Sequence, residues 1–210
     1  MENCSIRFWN RISRDYDISV YEKYRSTYDE TIRLALNYLR PGDTALDLGC
    51  GTGLTTNAIA PAVKQVVAID VSWEMIGLAR RSALELDVTN VNYQVMEISH
   101  SGLAEGSFQA VMAFNVLQFV RDEASLLGRI RSLLAPGGLL LSVTDCYDER
   151  PTAKTRIMKT LSMMGGLPYM RSYTCNRLQS SFRDRGFSII ESRKLPGNPV
   201  NCFIAARNAS

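Results

Sequence analysis

Three features of the sequence predict an α/β fold built on a doubly wound, mainly parallel sheet. Strand-like apolar runs alternate with helix-like amphipathic runs five times between residues 45 and 144. Such alternation marks parallel strands joined by crossover helices. The first run, ALDL, passes straight into a loop holding Gly49, Gly51 and Gly53. Polar residues then stand at or beside the ends of the first four strands: Asp47, Asp70, Glu97 and Asn115. In an open parallel sheet, ligands bind outside those ends.

The elements follow in order. Residues 5–28 carry Phe8, Trp9, Ile12, Tyr16, Tyr21, Tyr24 and Tyr28 among charges. Trp9, Ile12 and Tyr16 fall at helical spacing, which predicts one short helix ahead of the first strand. It reads either as a helix packed on the sheet or as a lid whose tyrosines face a ligand. Asp29 is placed to cap a helix over 29–39 with Ile32, Leu36 and Leu39 on one face, ended by Pro41-Gly42. Strand one is 45–48, and a helix runs from Gly53 to near Pro61. Strand two, 65–69, ends in Asp70. Ser72 caps a helix that buries Met75, Ile76, Ala79 and Ala83. Strand three is 91–96, strand four is 108–114, and Asp122 opens a helix to Leu134. Residues 135–138, APGG, read as a turn before strand five at 139–144.

The alternation then changes. Residues 152–164 are amphipathic, and Thr174 opens a further helix ended by Gly186. Two strands, 187–193 and 200–206, flank Gly197-Asn198-Pro199 and predict an antiparallel hairpin at the sheet edge. With no repeat, low-complexity stretch or linker, the 210 residues form one domain. It divides into an N-terminal helical lid (1–40), a core (41–144), a cap (145–175) and a closing helix and hairpin (176–210).

Composition narrows the function classes. A net charge of +3 is too small to argue for nucleic acid. No apolar run is long enough for a membrane helix, and the N-terminus lacks an apolar signal core. Cys4, Cys50, Cys146, Cys175 and Cys202 are scattered, odd in number and without metal spacing. They read as reduced thiols, hence a cytoplasmic setting. His100 is the single histidine, so a histidine-based metal site is excluded and no metal is expected. Nothing in the sequence sets an oligomeric state.

The polar strand ends suggest a ligand. A glycine loop between a strand and a helix presents backbone N–H groups to an anion. Asp47 beside it adds a negative charge that a phosphate cradle would not want. A ligand with carboxylate and ammonium side by side, as in an amino acid, suits both. Asp70 is placed to accept from the hydroxyls of a ribose. Glu97 and the N–H of Ile98 are placed to meet the amino group and a ring nitrogen of adenine. Ribose, adenine and an amino acid in one molecule describe S-adenosylmethionine.

On these residues the chain resembles class I S-adenosylmethionine-dependent methyltransferases. The likeness rests on ALDLGCGTG, VVAIDVSWEM, Glu97, SFQAVMAFNVLQFV and LLAPGGLLLSVT, across about residues 41–144. Within that family it looks most like the small-molecule enzymes, a group that includes quinone-biosynthesis methyltransferases. The resemblance implies a Rossmann-like seven-stranded sheet of order 3-2-1-4-5-7-6, strand 7 antiparallel, with helices on both faces. It also implies cofactor contacts at Asp47, Gly49, Cys50, Gly51, Asp70, Val71, Met75, Glu97, Ile98 and Asn115, and a lid tyrosine at Tyr16. The chain departs from the family at Gln109, where aspartate is common, and at Gln118, where histidine is common. The second departure removes one candidate base.

A nicotinamide dehydrogenase is the competitor within the fold. Its G-x-G-x-x-G fingerprint fails here, because Leu54 stands where the third glycine belongs. A non-catalytic cofactor-binding sensor or partner subunit is the alternative from another class. Methyl transfer from a sulfonium is an in-line displacement whose leaving group departs neutral. Positioning and exclusion of water can supply much of the rate, so no catalytic residue is assigned. His100 reads as a solvent-facing loop residue, whereas Asp145 and Tyr147 either face the acceptor or cap the next segment. Met158, Met163, Met164, Leu167, Tyr169, Met170 and Tyr173 offer an apolar wall for an apolar or aromatic small-molecule acceptor, or pack on the core. Lys154, Arg156 and Lys159 beside that face also suit peripheral membrane contact without insertion.

Overall fold

The structure is a computed structural model that describes residues 4–16, 22–100, 102–165 and 167–209. For residues 4, 5, 14–16, 22 and 100 it describes the backbone alone. Seven strands form one sheet: β1 Thr44–Leu48, β2 Gln65–Asp70, β3 Val91–Val95, β4 Phe108–Phe114, β5 Leu134–Cys146, β6 Phe187–Leu195 and β7 Val200–Asn208. Their order is β3-β2-β1-β4-β5-β7-β6. The first five strands pair in parallel, and β7 runs antiparallel to both β5 and β6.

Alternation along the central strands explains the two-sided core. On β1 and β2, Leu46, Leu48, Val67 and Ile69 join one apolar cluster, while Ala45, Val66 and Ala68 join the other. Strands buried on both faces read as continuous apolar runs, as these do. The first cluster is completed by α5 (Glu123–Leu133) and α7 (Cys175–Asp184). The second is completed by α2 (Glu22–Leu36), α3 (Leu54–Ile59) and α4 (Trp73–Glu85). Ser72 caps α4 by accepting from Met75 N at 3.1 Å, and Asp122 caps α5 by accepting from Ser125 N at 3.0 Å. At the N-terminus lies α1 (Cys4–Tyr16), and α6 (Ala153–Met163) stands between β5 and α7.

The structure corrects three expectations. The helix expected to start at Asp29 begins at Glu22 and is kinked at Tyr24. Its buried stripe is Thr27, Thr31, Leu34 and Ala35, whereas Leu36 is exposed. Two of those residues are threonines, so the hydrophobic period understates the helix. Thr31 donates back to the carbonyl of Thr27 at 2.7 Å, and Thr27 donates to that of Pro196 at 3.0 Å. The turn expected at 135–138 is instead an irregular stretch of β5. Leu134 already pairs with Phe108, and the register shifts before Ala110 meets Leu139. A Cβ on Gly138 would lie 2.9 Å from the Ala135 carbonyl, so glycine permits this close passage. Finally, three of the five cysteines are not scattered in space. Cys146, Cys175 and Cys202 lie together in the first core cluster.

Among the described residues, no helix is long and apolar enough to cross a membrane.

Candidate functional site

A cavity of about 570 Å³ lies at the C-terminal ends of β1, β2 and β4. The glycine loop heads it. Gly49 N and Cys50 N both donate to the Ile69 carbonyl, at 2.8 and 3.1 Å, which folds the loop back over β2. All three loop glycines have left-handed φ, at 69°, 54° and 79°. Their surroundings separate their roles. A Cβ on Gly49 would lie 2.5 Å from Val116 Cγ2, and one on Gly53 2.5 Å from the Tyr93 hydroxyl. A Cβ on Gly51 would meet no protein atom within 4 Å, and Gly51 lines the cavity. The outer glycines are thus required by packing, and the central one leaves room beside a ligand.

Asp70 ends β2 on the cavity wall. Gly51 N donates to its Oδ2 at 3.0 Å and Ser72 N to its Oδ1 at 2.8 Å. Each oxygen keeps a lone pair for a ligand hydroxyl. Burial pushes this carboxyl above its ordinary range, against the opposing backbone N–H bonds. Glu97 follows β3, is held beside β2 by Met96 N donating to the Asp70 carbonyl at 2.9 Å, and accepts from Ser99 Oγ at 2.9 Å. Val71, Met75 and Ile98 line the same wall. Asn115 follows β4 with φ 57°, and its backbone N–H donates to the Val143 carbonyl at 2.7 Å. Its Oδ1 is buried and has no partner in the protein. A buried acceptor without a donor is costly, which makes it a natural place for a ligand's donor.

Asp47 stands apart from these. It is 2% exposed, does not line the cavity, and accepts from Thr56 Oγ1 at 2.6 Å behind the loop. Burial pushes its carboxyl up to about 7, helped by the nearby Asp70 and opposed by Thr56. Cys50 lines the cavity, and burial pushes its thiol far above the usual range, so it is not a nucleophilic thiolate. The side chains of Tyr16 and His100, and all of Tyr21, lie outside the described residues.

The far end of the cavity is built differently. Ile6, Trp9 and Tyr28 close it from the N-terminal helices, and Phe119 from the loop after β4. Trp9 and Phe119 meet edge to face with centroids 5.0 Å apart. Ser72 Oγ donates to Asn10 Oδ1 at 2.6 Å, fixing α1 to the N-terminus of α4. Beyond α6, Leu167, Pro168 and Tyr169 complete the wall. Ser162 Oγ donates to the Pro168 carbonyl at 2.8 Å, and Arg121 lies over the Tyr169 ring at 4.6 Å. Arg171 pairs with Glu123 at 3.0 Å, tying this segment to α5.

Of the seven side chains expected as an apolar wall, only Leu167 and Tyr169 line the cavity. Met163 and Met164 are 81% and 78% exposed, and Tyr173 is buried in the first core cluster. Asp145 and Tyr147 also miss the cavity. Tyr147 donates to Asp145 at 2.9 Å, and burial lifts Asp145 to about 6. Gln109 lies at the opposite end of the sheet, where its Oε1 accepts from Thr44 N at 2.9 Å. Trp9 and Phe119 are the contributors that periodicity did not single out for the ligand. Their large aromatic surface was their only signal.

A family model described as a methyltransferase domain matches residues 45–138. The ubiquinone biosynthesis O-methyltransferase of Xanthomonas campestris pv. campestris (strain B100) is 39% identical over 105 residues, 50% of this chain and 44% of that protein. The chain spans about half the length of the curated relatives it matches. Among solved structures, N-methyltransferase NodS from Bradyrhizobium japonicum WM9, in complex with S-adenosyl-L-homocysteine, is similar over 99% of this chain and 100% of its own, with TM-score 0.76 and 18% identity. The [4+2]-cyclase SpnF is similar over 86% and 80%, with TM-score 0.72 and 18% identity. A methyltransferase domain thus matches the core of the chain, and the strand order is the one that the resemblance to class I S-adenosylmethionine-dependent methyltransferases implied.

Proposed function

We propose that this chain is a class I methyltransferase that binds S-adenosylmethionine in the 570 Å³ cavity and methylates a small, apolar or aromatic acceptor. The observation that carries the reading is the Asp70 carboxylate, set on the cavity wall by the N–H groups of Gly51 and Ser72. It is placed to accept from ribose hydroxyls, with Glu97 and the Ile98 backbone serving the adenine end. Asn115 Oδ1 offers an acceptor for the amino-acid end, and the open space at Gly51 admits that end against backbone. When bound, the cofactor supplies an electrophilic methyl on a positively charged sulfur.

The chain's own residues then position and enclose. Trp9, Phe119, Leu126, Leu167 and Tyr169 give the far end of the cavity an apolar and aromatic lining. Such a lining orients a flat acceptor and keeps water out. The curated relatives named for ubiquinone biosynthesis O-methylation favour a phenolic oxygen as the acceptor atom. An acidic phenol can lose its proton to solvent before transfer. Fold alone does not carry activity, as the cyclase neighbour illustrates.

Two measurements test the reading. A thermal-shift titration should show stabilisation by S-adenosylmethionine and none by NAD. At 100 times the dissociation constant, the gain is about 2.7 kcal/mol. A panel of catechols, hydroxyquinones, amines and carboxylic acids should then yield S-adenosylhomocysteine with the phenolic members. Cofactor binding with no turnover on any of them would favour a non-catalytic sensor instead.

A further inference from the structure

Outside the cavity, one side-chain cluster has the composition of a metal site. Cys146 ends β5, Cys175 begins α7 and Cys202 lies on β7. Thr144 pairs with Cys202, and Cys146 with Val200, so Cys146 and Cys202 are diagonal neighbours on one face of the sheet. Cys175 packs onto that face from α7. The three sulfurs lie within 4.8 Å of one another, and all three residues are buried, at 0%, 2% and 0% exposure. All three are free thiols.

From this geometry we infer that Cys146, Cys175 and Cys202 form a three-thiolate site for a soft, thiophilic d10 metal ion. A metal about 2.3 Å from each sulfur, centred in their triangle, needs sulfurs about 4 Å apart. Sub-ångström rotamer adjustments supply that contraction. Thiolates select soft ions over hard ones. Among the described residues, no histidine or carboxylate joins the three sulfurs as a fourth donor. The nearby Glu149 carboxylate is engaged by Lys194 and by Cys175 N, the latter at 3.0 Å. A three-coordinate ion therefore suits the cluster better than a tetrahedral structural zinc. Ser192 Oγ, 3.8 Å from Cys202 Sγ, can donate to a ligating sulfur.

The positions of the three cysteines give the site a role. Cys146 and Cys175 bracket residues 147–174, which include α6 and the cavity-lining Leu167, Pro168 and Tyr169. A metal joining these two residues to Cys202 closes that segment at its base and fixes it to the sheet. The inference holds whether or not the cavity binds S-adenosylmethionine, because its readouts are metal uptake and proteolysis.

The test uses the full chain, reduced and free of metal, titrated with Cd²⁺ as the probe. One equivalent should bind, with sulfur-to-cadmium charge-transfer absorption of the intensity of three thiolates. Cleavage within 147–174 by a trace protease should slow several-fold. Cys202→Ala should weaken uptake more than about tenfold, whereas Cys4→Ser should not. Because a buried substitution can lower stability, Cys146→Ser and the wild-type stoichiometry serve as independent readouts. No uptake by the wild-type protein, or absorption from fewer than three thiolates, would overturn the site. So would a mild oxidant converting the trio to a disulfide in a protein that takes up no cadmium.

Discussion

The two ends of the cavity are made from different materials. The end headed by the glycine loop consists of backbone and strand termini: Gly51, Asp70, Glu97 and Asn115 follow four neighbouring parallel strands. The other end is assembled from side chains of α1, the loop after β4 and the segment beyond α6. A sheet interior fixes the first set, because shifting one strand would misplace every buried residue on it. Loops and surface helices hold the second set by a few contacts, such as Trp9 on Phe119 and Arg121 on Tyr169. A cofactor common to many enzymes suits the rigid end, and an acceptor that differs between enzymes suits the adjustable one.

Exchanging residues between the two ends should break this division most visibly at Asp70. Asp70→Ala removes a charged acceptor worth about 1.5–3 kcal/mol per hydrogen bond. Cofactor affinity should fall by about two orders of magnitude or more in calorimetric titration. Tyr169→Ala should leave cofactor affinity within about twofold and raise the acceptor KM instead. Equal loss of cofactor binding in both variants would erase the distinction.

The next effect separates folding from binding within the loop. Gly49→Ala places a Cβ 2.5 Å from Val116 in a left-handed backbone, and should cost about 1–3 kcal/mol in urea denaturation. Gly51→Ala bears the backbone strain without a clash, so its stability loss should be smaller and its loss of cofactor affinity larger. The reverse ranking would mean that Gly51 does not face the ligand.

A smaller effect concerns pH. The Asp47 carboxyl lies at about 7 in the folded protein, against about 3.9 in an unfolded chain. Its contribution to stability is full below pH 4 and is lost as pH rises toward 7, on the order of a few kcal/mol. Asp47 lies behind the loop rather than on the cavity wall, yet a cationic ligand group bound against the loop favours its ionised form through space, so affinity for S-adenosylmethionine should rise several-fold from pH 6 to pH 8. Asp47→Asn should flatten both the melting profile and the affinity profile. Wild-type affinity that does not change over this range would remove Asp47 from the ammonium's surroundings. Smallest of all, Met163→Ser on the exposed face of α6 should shift stability by no more than about 0.5 kcal/mol.

The same division governs what the sequence disclosed. Strands β1, β2 and β4 were legible because residues buried on both faces leave continuous apolar runs, and a glycine loop with acids at strand ends is a local pattern. The start of α2 was hidden because threonines carry part of its buried stripe. The irregular start of β5 was hidden because Pro136-Gly137-Gly138 has turn composition, although the chain pairs through it. At the cavity's far end, Trp9 is more than 100 positions from Phe119 and more than 150 from Leu167. No local period records that meeting. The cysteine trio is the sharpest case, because spacings of 29 and 27 residues match no metal motif and only the packing of α7 on β5 and β7 unites them.

The central claim is that the rigid end of the cavity is shaped for the adenosyl amino-acid cofactor. Isothermal titration of the reduced chain with S-adenosyl-L-homocysteine tests it most directly, with NAD as the parallel titrant. One equivalent of S-adenosyl-L-homocysteine should bind the wild type, Asp70→Ala should bind at least about a hundredfold more weakly, and NAD should give no heat. Saturable binding of NAD with none of S-adenosyl-L-homocysteine would contradict the account.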